Sequence, residues 1–210
     1  MVDFSEQKIK ADRPHCDPNS FALKHPLKET SRFWVVCDVH PLTEGHLLII
    51  PKTHLSCVGE YDQPSLAEFN QLYKTFCDFI KAQYGSVSSF EHDKIGQTVF
   101  HSHVHILPFS GQPGQIIPEG EKHLRSIETI NELVNVYKQD GQYLFFSIGD
   151  QMWTVDHSIG GPRFFRDRFA KALGAPQRGN WKQMHDDSQI MSQASTDIAN
   201  LETFWKKHNS

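Results

Sequence analysis

Three histidines stand at alternate positions near the middle of the chain, within the run Gln-Thr-Val-Phe-His-Ser-His-Val-His-Ile-Leu-Pro. Successive side chains of an extended strand point to opposite faces, so His101, His103 and His105 are predicted to share one face. Near neutral pH an imidazole can act as a nucleophile, as a general base or as a metal ligand. The row therefore predicts a pocket wall suited to covalent or metal chemistry.

A metal site is the weaker of these two hypotheses. Histidines two residues apart on a strand are separated by about 6.6 Å, and those four apart by about 13 Å, so a straight strand cannot bring all three to one ion. The pair His15-Cys16 in the N-terminal segment could bind zinc, but an isolated pair is weak evidence. The cysteines also lack paired spacing; they are Cys16, Cys37, Cys57 and Cys77. We therefore predict no metal and no cofactor.

Nucleophilic catalysis is the stronger hypothesis. An imidazole with an ordinary pKa of about 6.5 is largely neutral at pH 7. Its free ring nitrogen can attack phosphorus if a backbone carbonyl holds the proton on the other nitrogen. His103 is the middle member of the row and has a polar neighbour on each side. The pattern therefore favours His103 as the attacking group.

A second block, residues 32–54, contains two strand-like runs joined by a polar turn. Together with the histidine row it resembles the histidine-triad (HIT) family of nucleotide hydrolases and transferases, over residues 20–110. Order and spacing both agree. The matching positions are Asp38, Pro41, Gly45-His46, the strand end Ile49-Ile50-Pro51-Lys52, Gly96-Gln97-Thr98, and the run from His101 to Pro108.

The resemblance implies a role for each candidate residue. His103 would attack the α-phosphorus of a nucleotide and form a nucleotidyl-histidine intermediate, which water or another acceptor resolves. Three further histidines would position it and bind phosphate oxygens: His46, His101 and His105. The implied nucleotide-binding residues are Asp38, which would hold the ribose hydroxyls, and Gln97 and Thr98, which would donate hydrogen bonds to the phosphate or the leaving group. Imidazoles and backbone donors would supply the stabilisation that a metal gives elsewhere.

Two positions depart from the family pattern. Ser102 stands where the family usually has an apolar residue, and we expect it to face a neighbouring element of the sheet. The run Ser89-Phe90-Glu91-His92-Asp93 is more similar to a branch that includes CwfJ-type proteins. His92 is equally compatible with a turn residue and with a site residue. These departures affect the predicted substrate more than the predicted chemistry.

The resemblance implies an α+β, HIT-like fold, with an antiparallel sheet packed against helices. Residues 1–20 are predicted to form an irregular arm, residues 21–110 the catalytic domain, and residues 111–210 a C-terminal α+β extension. Predicted strands lie near 32–38, 45–51, 87–91 and 101–107, and an amphipathic helix spans 64–84. In the extension we predict a helix near 127–137, a hairpin of 142–148 and 151–157, and helices at 162–173 and 187–207.

The extension offers a second, looser resemblance to CwfJ-type proteins, over residues 142–182. Its helix at 162–173 carries four cations, from Arg163 to Lys171. They are predicted to form a solvated helix surface, with a phosphate-binding patch as the alternative. The last helix is predicted to pack on the body or on a second subunit, so the sequence leaves a homodimer open.

Composition narrows the class of protein. The chain has 210 residues and a formal net charge of −4, which favours a small-molecule nucleotide over nucleic acid as partner. No apolar run approaches the roughly 20 residues that span a membrane, and the first residues lack a signal-peptide core. Unpaired cysteines favour a reducing compartment, so we expect a cytoplasmic protein without a membrane partner.

The sequence thus predicts an enzyme that hydrolyses or transfers a nucleoside monophosphate group through His103. Its substrates would be nucleoside phosphate conjugates such as dinucleoside polyphosphates or phosphoramidates. The competing hypothesis is a noncatalytic nucleotide- or RNA-binding accessory protein. Retention of the nucleophile together with its three helper histidines favours the enzyme, because a binding module has no need of the complete set.

Overall fold

One eight-stranded antiparallel sheet organises the computed structural model, which describes residues 14–209. The strand order is β1-β2-β3-β5-β4-β7-β8-β6, and every neighbouring pair is antiparallel. The strands are β1 (Pro26–Glu29), β2 (Phe33–Cys37), β3 (Leu47–Pro51), β4 (Ser88–His92), β5 (Val104–Leu107), β6 (Leu124–Ile127), β7 (Leu144–Ile148) and β8 (Gln151–Val155). The hairpin of β7 and β8 lies where the sequence predicted it.

Helices cover both faces of this sheet. They are α1 (Gln63–Tyr84), α2 (Pro113–Ile116), α3 (Glu132–Asp140), α4 (Phe164–Ala172), α5 (Trp181–His185) and α6 (Ser188–His208). The α+β class predicted from the sequence is therefore confirmed. Among the described residues no helix combines the length and the apolar character that crossing a membrane requires.

Helix α1 shows how closely local signals fix an element. The side chain of Asp62 accepts a hydrogen bond from the backbone of Ser65 and caps the first turn. Gly85 ends the helix in the left-handed region, with φ 80°. The seven apolar residues of the predicted stripe are all buried: Leu66, Phe69, Leu72, Tyr73, Phe76, Phe79 and Ile80. Trp205 of α6 stacks on Phe76 with 4.4 Å between ring centroids.

The side chains of strand β5 point alternately to the two faces of the sheet. Val104 and Ile106 are buried in the core beneath α1 and α6. His105 points to the opposite face, where Phe90 of β4 stacks on it with 4.1 Å between ring centroids. Phe169 of α4 covers Phe90 in turn, at 5.0 Å. Helix α4, from the predicted extension, thus packs over the part of the sheet that carries His105.

The C-terminal residues continue the sheet rather than form a separate body. Strand β4 pairs with β5 on one side and with β7 on the other. One sheet therefore runs through both parts of the chain. The division into two parts at residue 110 stays a prediction. Residues 1–13 of the predicted arm lie outside the described residues, and residues 14–20 form turns.

Three predicted elements differ in their bounds. The apolar stripe predicted as a helix over 127–137 is split between strand β6, which ends at Ile127, and helix α3. Strand β5 begins at Val104, so His101 and His103 precede it. Helix α4 begins two residues late because Arg163 adopts a left-handed conformation, with φ 60°. Periodicity alone could not detect these local changes of backbone direction.

Gly45 lies in the turn directly before His46 and strand β3, and its backbone requires glycine for two reasons. Its φ of 86° lies in the left-handed region. A Cβ atom there would lie 2.7 Å from Cε2 of Tyr84 and 3.1 Å from Cδ of Pro108. Tyr84 is the last residue of α1 and Pro108 directly follows β5, so a side chain at Gly45 would require these neighbours to shift.

We predict that Gly45→Ala lowers the free energy of unfolding by about 2 to 4 kcal/mol, the sum of backbone strain and overpacking. Gly149→Ala is the matched control, because Gly149 has φ 57° with nothing within 4 Å of its Cβ position. The control should lose only about 1 kcal/mol. Urea unfolding of both variants checks this, and equal losses would show that the contact with Tyr84 costs nothing.

Candidate active site

A cavity opens over the face of the sheet that carries His103 and His105. Trp181 adds an aromatic wall, and the polar lining residues are His15, Asp38, His40, Thr98, His103, His105 and Arg166. Apolar side chains complete it; they include Phe21, Ala22 and Leu48. The cavity therefore combines a few converging polar groups with apolar surface, as small-molecule sites do.

The hydrogen bond of His103 fixes which of its nitrogens carries the proton. Nδ1 lies 2.6 Å from the carbonyl oxygen of His101. A carbonyl only accepts, so Nδ1 carries the hydrogen and Nε2 keeps its lone pair. Burial lowers the pKa of His103, with the bond to His101 opposing it. The ring is therefore neutral at pH 7, with its basic nitrogen free of the backbone.

A relay of hydrogen bonds orients His105. The backbone N–H of Leu42 donates to Nδ1 of His46 at 3.0 Å, which leaves the His46 proton on Nε2. That nitrogen donates to Nδ1 of His105 at 2.9 Å. His105 consequently carries its own proton on Nε2, a buried atom with no hydrogen-bond partner among the described residues. The cavity is thus offered an unused N–H donor beside His103.

Burial keeps this pair neutral. It lowers the pKa of His46 to about 4, although the nearby Asp38 carboxylate opposes the shift. Burial likewise holds the pKa of His105 well below its ordinary value, reinforced by His103, His46 and Arg166. Neutral imidazoles can donate to and accept from a phosphate without bringing positive charges into close contact. His46 acts on the cavity only through His105, which differs from the predicted direct contact with phosphate.

His101 faces away from the cavity. Its Nε2 donates to the carbonyl of Pro51 at 2.7 Å, so the lone pair is on Nδ1. That atom lies 3.1 Å from Sγ of Cys16 and 3.2 Å from Nδ1 of His54. The prediction that His101 binds phosphate oxygens directly therefore does not match this arrangement. Its backbone carbonyl, not its ring, reaches His103.

The donor atoms of Cys16, His54 and His101 could hold a metal ion. Sγ of Cys16 also lies 3.4 Å from Nδ1 of His54, so all three atoms converge. One sulfur and two imidazole nitrogens suit zinc, whose bonds of about 2.0 to 2.3 Å place its ligand atoms at comparable separations. The sequence recognised Cys16 but not His54, because the three residues are far apart along the chain.

Asp38 is held by residues from both halves of the chain. Its Oδ2 accepts a hydrogen bond from Arg166 at 2.8 Å, and its Oδ1 accepts one from the backbone of His40 at 2.9 Å. Burial opposes its ionisation, but the charges of Arg166 and His46 and the His40 N–H outweigh burial and lower the pKa to about 2. Asp38 is therefore a carboxylate at the edge of the cavity.

The prediction that the cations of helix α4 form a solvated surface is wrong for Arg166. Its guanidinium is buried; besides Asp38 it contacts the carbonyl of His40 at 2.7 Å. Arg168 pairs with Glu119 through two hydrogen bonds of 2.8 and 2.6 Å. Arg163 lies 3.4 Å from Asp167. A helical wheel cannot reveal this, since it shows spacing but not what packs against the helix.

The two remaining predicted binding residues have different surroundings. Thr98 lines the cavity, and its Oγ1 accepts a hydrogen bond of 3.1 Å from the Trp181 indole. Gln97 instead uses Nε2 to donate to the carbonyls of Ser56 and His92, at 2.6 and 2.8 Å. Gln97 thus ties two loops together. The geometry assigns its amide nitrogen to the backbone rather than to a phosphate.

Behind the histidine row lies a buried acid that the sequence analysis did not select. Glu91 of β4 accepts a hydrogen bond from Ser102 at 2.8 Å, bonds from the backbone of Val58 at 3.1 and 3.2 Å, and one from the Tyr143 hydroxyl. The Tyr61 hydroxyl lies 2.9 Å from Ser102. Ser102 thus faces a neighbouring strand, as expected, through hydrogen bonds that anchor the peptide between His101 and His103.

His92, which the sequence left undecided, is the last residue of β4 and is buried. Its Nε2 accepts a hydrogen bond of 2.8 Å from the backbone of Phe165. Burial lowers its pKa well below the ordinary value. His92 therefore joins the sheet to helix α4 and does not line the cavity.

Comparison with known proteins gives consistent matches. A family profile described as "HIT domain" matches residues 24–111. An uncharacterised HIT-like protein of Borreliella burgdorferi is 30% identical over 106 residues, which are 46% of this chain and 73% of that protein. "Protein hit" of Bacillus subtilis is 30% identical over 79 residues, 36% of this chain and 54% of its own length. The chain thus spans about half the length of that relative.

A third relative has a stated activity. "Adenosine 5'-monophosphoramidase hnt1" of Schizosaccharomyces pombe is 32% identical over 82 residues, 39% of this chain and 62% of that protein. All of these matches cover less than half of this chain. The resemblance of residues 142–182 to CwfJ-type proteins stays a prediction.

Glu91 generates a prediction about stability and pH. Burial outweighs the three donors, Tyr143, Ser102 and the Val58 N–H, and raises the pKa of Glu91 to about 8, from an ordinary value of 4.5. The folded protein therefore holds a proton that the unfolded chain releases as pH rises through this window. Its free energy of unfolding should fall between about pH 5 and pH 8, by up to about 1.4 kcal/mol per pH unit from this residue, and level off above.

Glu91→Gln should remove that contribution, because an amide of the same shape does not titrate. The measurement is urea unfolding at several values between pH 5 and pH 9, comparing the wild type, Glu91→Gln and the exposed-site control Glu121→Gln. The difference between wild type and Glu91→Gln should narrow or reverse as pH rises. Parallel curves would contradict the raised pKa.

Proposed function

This chain belongs to the HIT family, and from that premise we propose that it hydrolyses or transfers a nucleoside monophosphate group through His103. Membership rests on the matching family profile and on a relative 30% identical that is covered over 73% of its length. Proteins of this family bind nucleotides and act on them as hydrolases or transferases. The nucleophile, the substrate and the acceptor are the parts that we propose.

The observation that carries the proposal is the hydrogen bond from Nδ1 of His103 to the carbonyl of His101, at 2.6 Å. It leaves the Nε2 lone pair available inside a cavity that the His103 ring lines. A neutral imidazole with one proton held by the backbone is an activated nucleophile. The same carbonyl stabilises the positive charge that develops on the ring when Nε2 forms a bond.

The reaction proceeds in two balanced steps. Nε2 of His103 attacks the α-phosphorus; an N–P bond forms, the bond from phosphorus to the leaving group breaks, and the leaving group departs with its electron pair and takes up a proton from solvent. An acceptor then attacks the same phosphorus, releases a proton to solvent and breaks the N–P bond. When water is the acceptor, the product is a nucleoside monophosphate and His103 returns to its neutral form.

The cavity offers donors for the developing charge. The His105 ring, with its unused Nε2–H, lies beside the His103 ring, with 5.0 Å between the two ring centroids. Thr98 also lines the cavity. Donors held in place before the reaction stabilise phosphate oxygens without reorganisation. His46 and His101 act as positioning residues, the first through His105 and the second through its carbonyl.

Asp38 is proposed to hold the ribose hydroxyls. Each carboxylate oxygen already accepts one hydrogen bond, from His40 or from Arg166. A carboxylate has about four acceptor positions, so acceptor capacity remains for ribose. The fission yeast relative whose name is that of an adenosine monophosphoramidase supports phosphoramidates as one substrate class. Dinucleoside polyphosphates are the other class that we propose.

The pair of arginines on α4 argues against the competing RNA-binding hypothesis. Arg166 and Arg168 spend their donors on Asp38 and Glu119, within the chain. Cations already paired add little salt-dependent affinity for a polynucleotide. We therefore propose a small nucleotide as the partner, while the predictions of a homodimer and of cytoplasmic location stay predictions.

We predict that His103→Ala lowers kcat by several orders of magnitude, because the variant cannot form the covalent intermediate. Release of nucleoside monophosphate from adenosine phosphoramidate measures this. His157→Ala, an exposed histidine outside the cavity, is the matched control and should keep wild-type turnover. Near-normal kcat in pure His103→Ala protein would refute the mechanism, whereas a phosphoramidate-linked adduct on His103 would support it directly.

We also predict that turnover persists in excess chelator. A zinc ion held by Cys16, His54 and His101 would stabilise the loops around the histidine row, since His101 faces away from the cavity. Chelation should therefore lower the melting temperature of any zinc-loaded protein while its initial rate of turnover changes little. Immediate loss of turnover, restored by zinc or magnesium alone, would show that a metal takes part in the reaction.

A further inference from the structure

Helix α5, in the C-terminal half of the chain, brings an indole into the cavity. Trp181 is the first residue of α5 and lines the same cavity as His103, Asp38 and Thr98. It lies outside residues 24–111, which the family profile matches. The cavity is therefore completed by a residue that the matched domain does not contain.

The segment that carries Trp181 is fastened to the loop after β2. Arg166 donates to the carbonyls of His40 at 2.7 Å and Gly179 at 3.3 Å, and so bridges the two segments. Arg178 donates to the carbonyl of Pro41 at 3.2 Å and pairs with Asp197 at 2.5 Å. Both arginines are buried. Trp181 is thus held by a rigid support rather than by a mobile tail.

The surroundings of Trp181 leave part of the indole uncovered. Its ring packs on the His40 ring with 5.6 Å between centroids, and its Nε1 donates to Thr98 at 3.1 Å. The residue is half-buried. Phe21, another lining residue, is 43% exposed, and its ring also lies near the His40 ring, with 6.3 Å between centroids. Both side chains thus leave aromatic surface available to a ligand in the cavity.

We propose that Trp181 is a substrate-binding residue that stacks on a nucleobase. This inference rests on the proposed function and names the part of the substrate that the C-terminal region recognises. The aromatic lining favours a planar ring. Arg166 is already paired with Asp38, and the exposed Lys182 places its Nζ 5.6 Å from the centroid of the Trp181 ring. Stacking of a base on an aromatic side chain contributes about 1 to 3 kcal/mol.

The nucleobase could belong to the transferred nucleoside or to the leaving group. Adenosine phosphoramidate has a single base, on the transferred nucleoside, and releases ammonia. Diadenosine tetraphosphate carries a second adenine on its leaving group. Steady-state kinetics with both compounds therefore separate the two sources of the same chemistry.

The variants are Trp181→Ala and Trp181→Phe, with Trp153→Phe as control. Trp153 lies on β8, stacks on Phe146 at 5.1 Å, and does not line the cavity. We expect Trp181→Ala to raise KM about 5- to 100-fold, the equivalent of the stacking energy, with a smaller change in kcat. Trp181→Phe keeps an aromatic ring but loses the N–H bonded to Thr98, and should restore most of the affinity.

The pattern over the two substrates assigns the base. A raised KM with both compounds means stacking on the transferred nucleoside, and a raised KM with diadenosine tetraphosphate alone means stacking on the leaving group. Unchanged KM with both would overturn the inference. Equal damage by Trp181→Phe and Trp181→Ala would also overturn it, because the effect would then come from the bond to Thr98.

Calorimetric titration of AMP into His103→Ala, with and without Trp181→Ala, tests binding when turnover is absent. If wild-type turnover proves not to need His103, the proposed function fails whatever Trp181 does. If His103→Ala abolishes turnover and Trp181→Ala changes neither the KM of both substrates nor the AMP affinity, the stacking inference fails alone. Thermal melting of each variant confirms that the compared proteins are folded.

Discussion

The carbonyl of His101 holds the proton of His103 on Nδ1, and the chemistry of the cavity depends on this one hydrogen bond of 2.6 Å. With that proton fixed, Nε2 keeps its lone pair in the cavity and needs no separate base to activate it. Burial lowers the pKa of His103 and so keeps the ring neutral. A single backbone oxygen thus orients the ring and fixes the tautomer that the proposed nucleophile requires.

That carbonyl is itself held in place from behind. The peptide between His101 and His103 belongs to Ser102, which donates to the buried Glu91 and lies against the Tyr61 hydroxyl. The backbone of Ser102 also donates to the carbonyl of Leu55 at 2.6 Å. A buried acid is costly unless its acceptors are used, and here four hydrogen bonds use them. Ser102 therefore holds the His101 carbonyl in place from a position where an apolar side chain could only pack.

The C-terminal half supports the same geometry from the other side. Its strands extend the sheet through the pairing of β4 with β7, and its helix α4 covers Phe90 and His105. Arg166 neutralises Asp38, which otherwise would place an unpaired buried carboxylate beside neutral imidazoles. Residues beyond the matched domain are thus part of the cavity wall rather than an independent attachment.

The sequence by itself determined the elements whose signals are local. The alternation of His101, His103 and His105, the stripe and caps of α1, and the hairpin after β7 depend on spacing and on turn residues, and all can be read along the chain. The choice of His103 among the three also follows from its central position, although its role as nucleophile stays a prediction.

Only the tertiary structure decided which side chains meet. From the sequence, Arg166 was predicted to be one of several cations on a solvent-exposed helix face. It is instead buried against Asp38, 128 residues away along the chain. His101 shares the row with His103 but turns its ring toward Cys16 and His54, because β5 begins only at Val104. Periodicity specifies the direction of a side chain relative to its own strand or helix. Which residue that side chain meets is set by long-range packing, and no local pattern in the sequence specifies it.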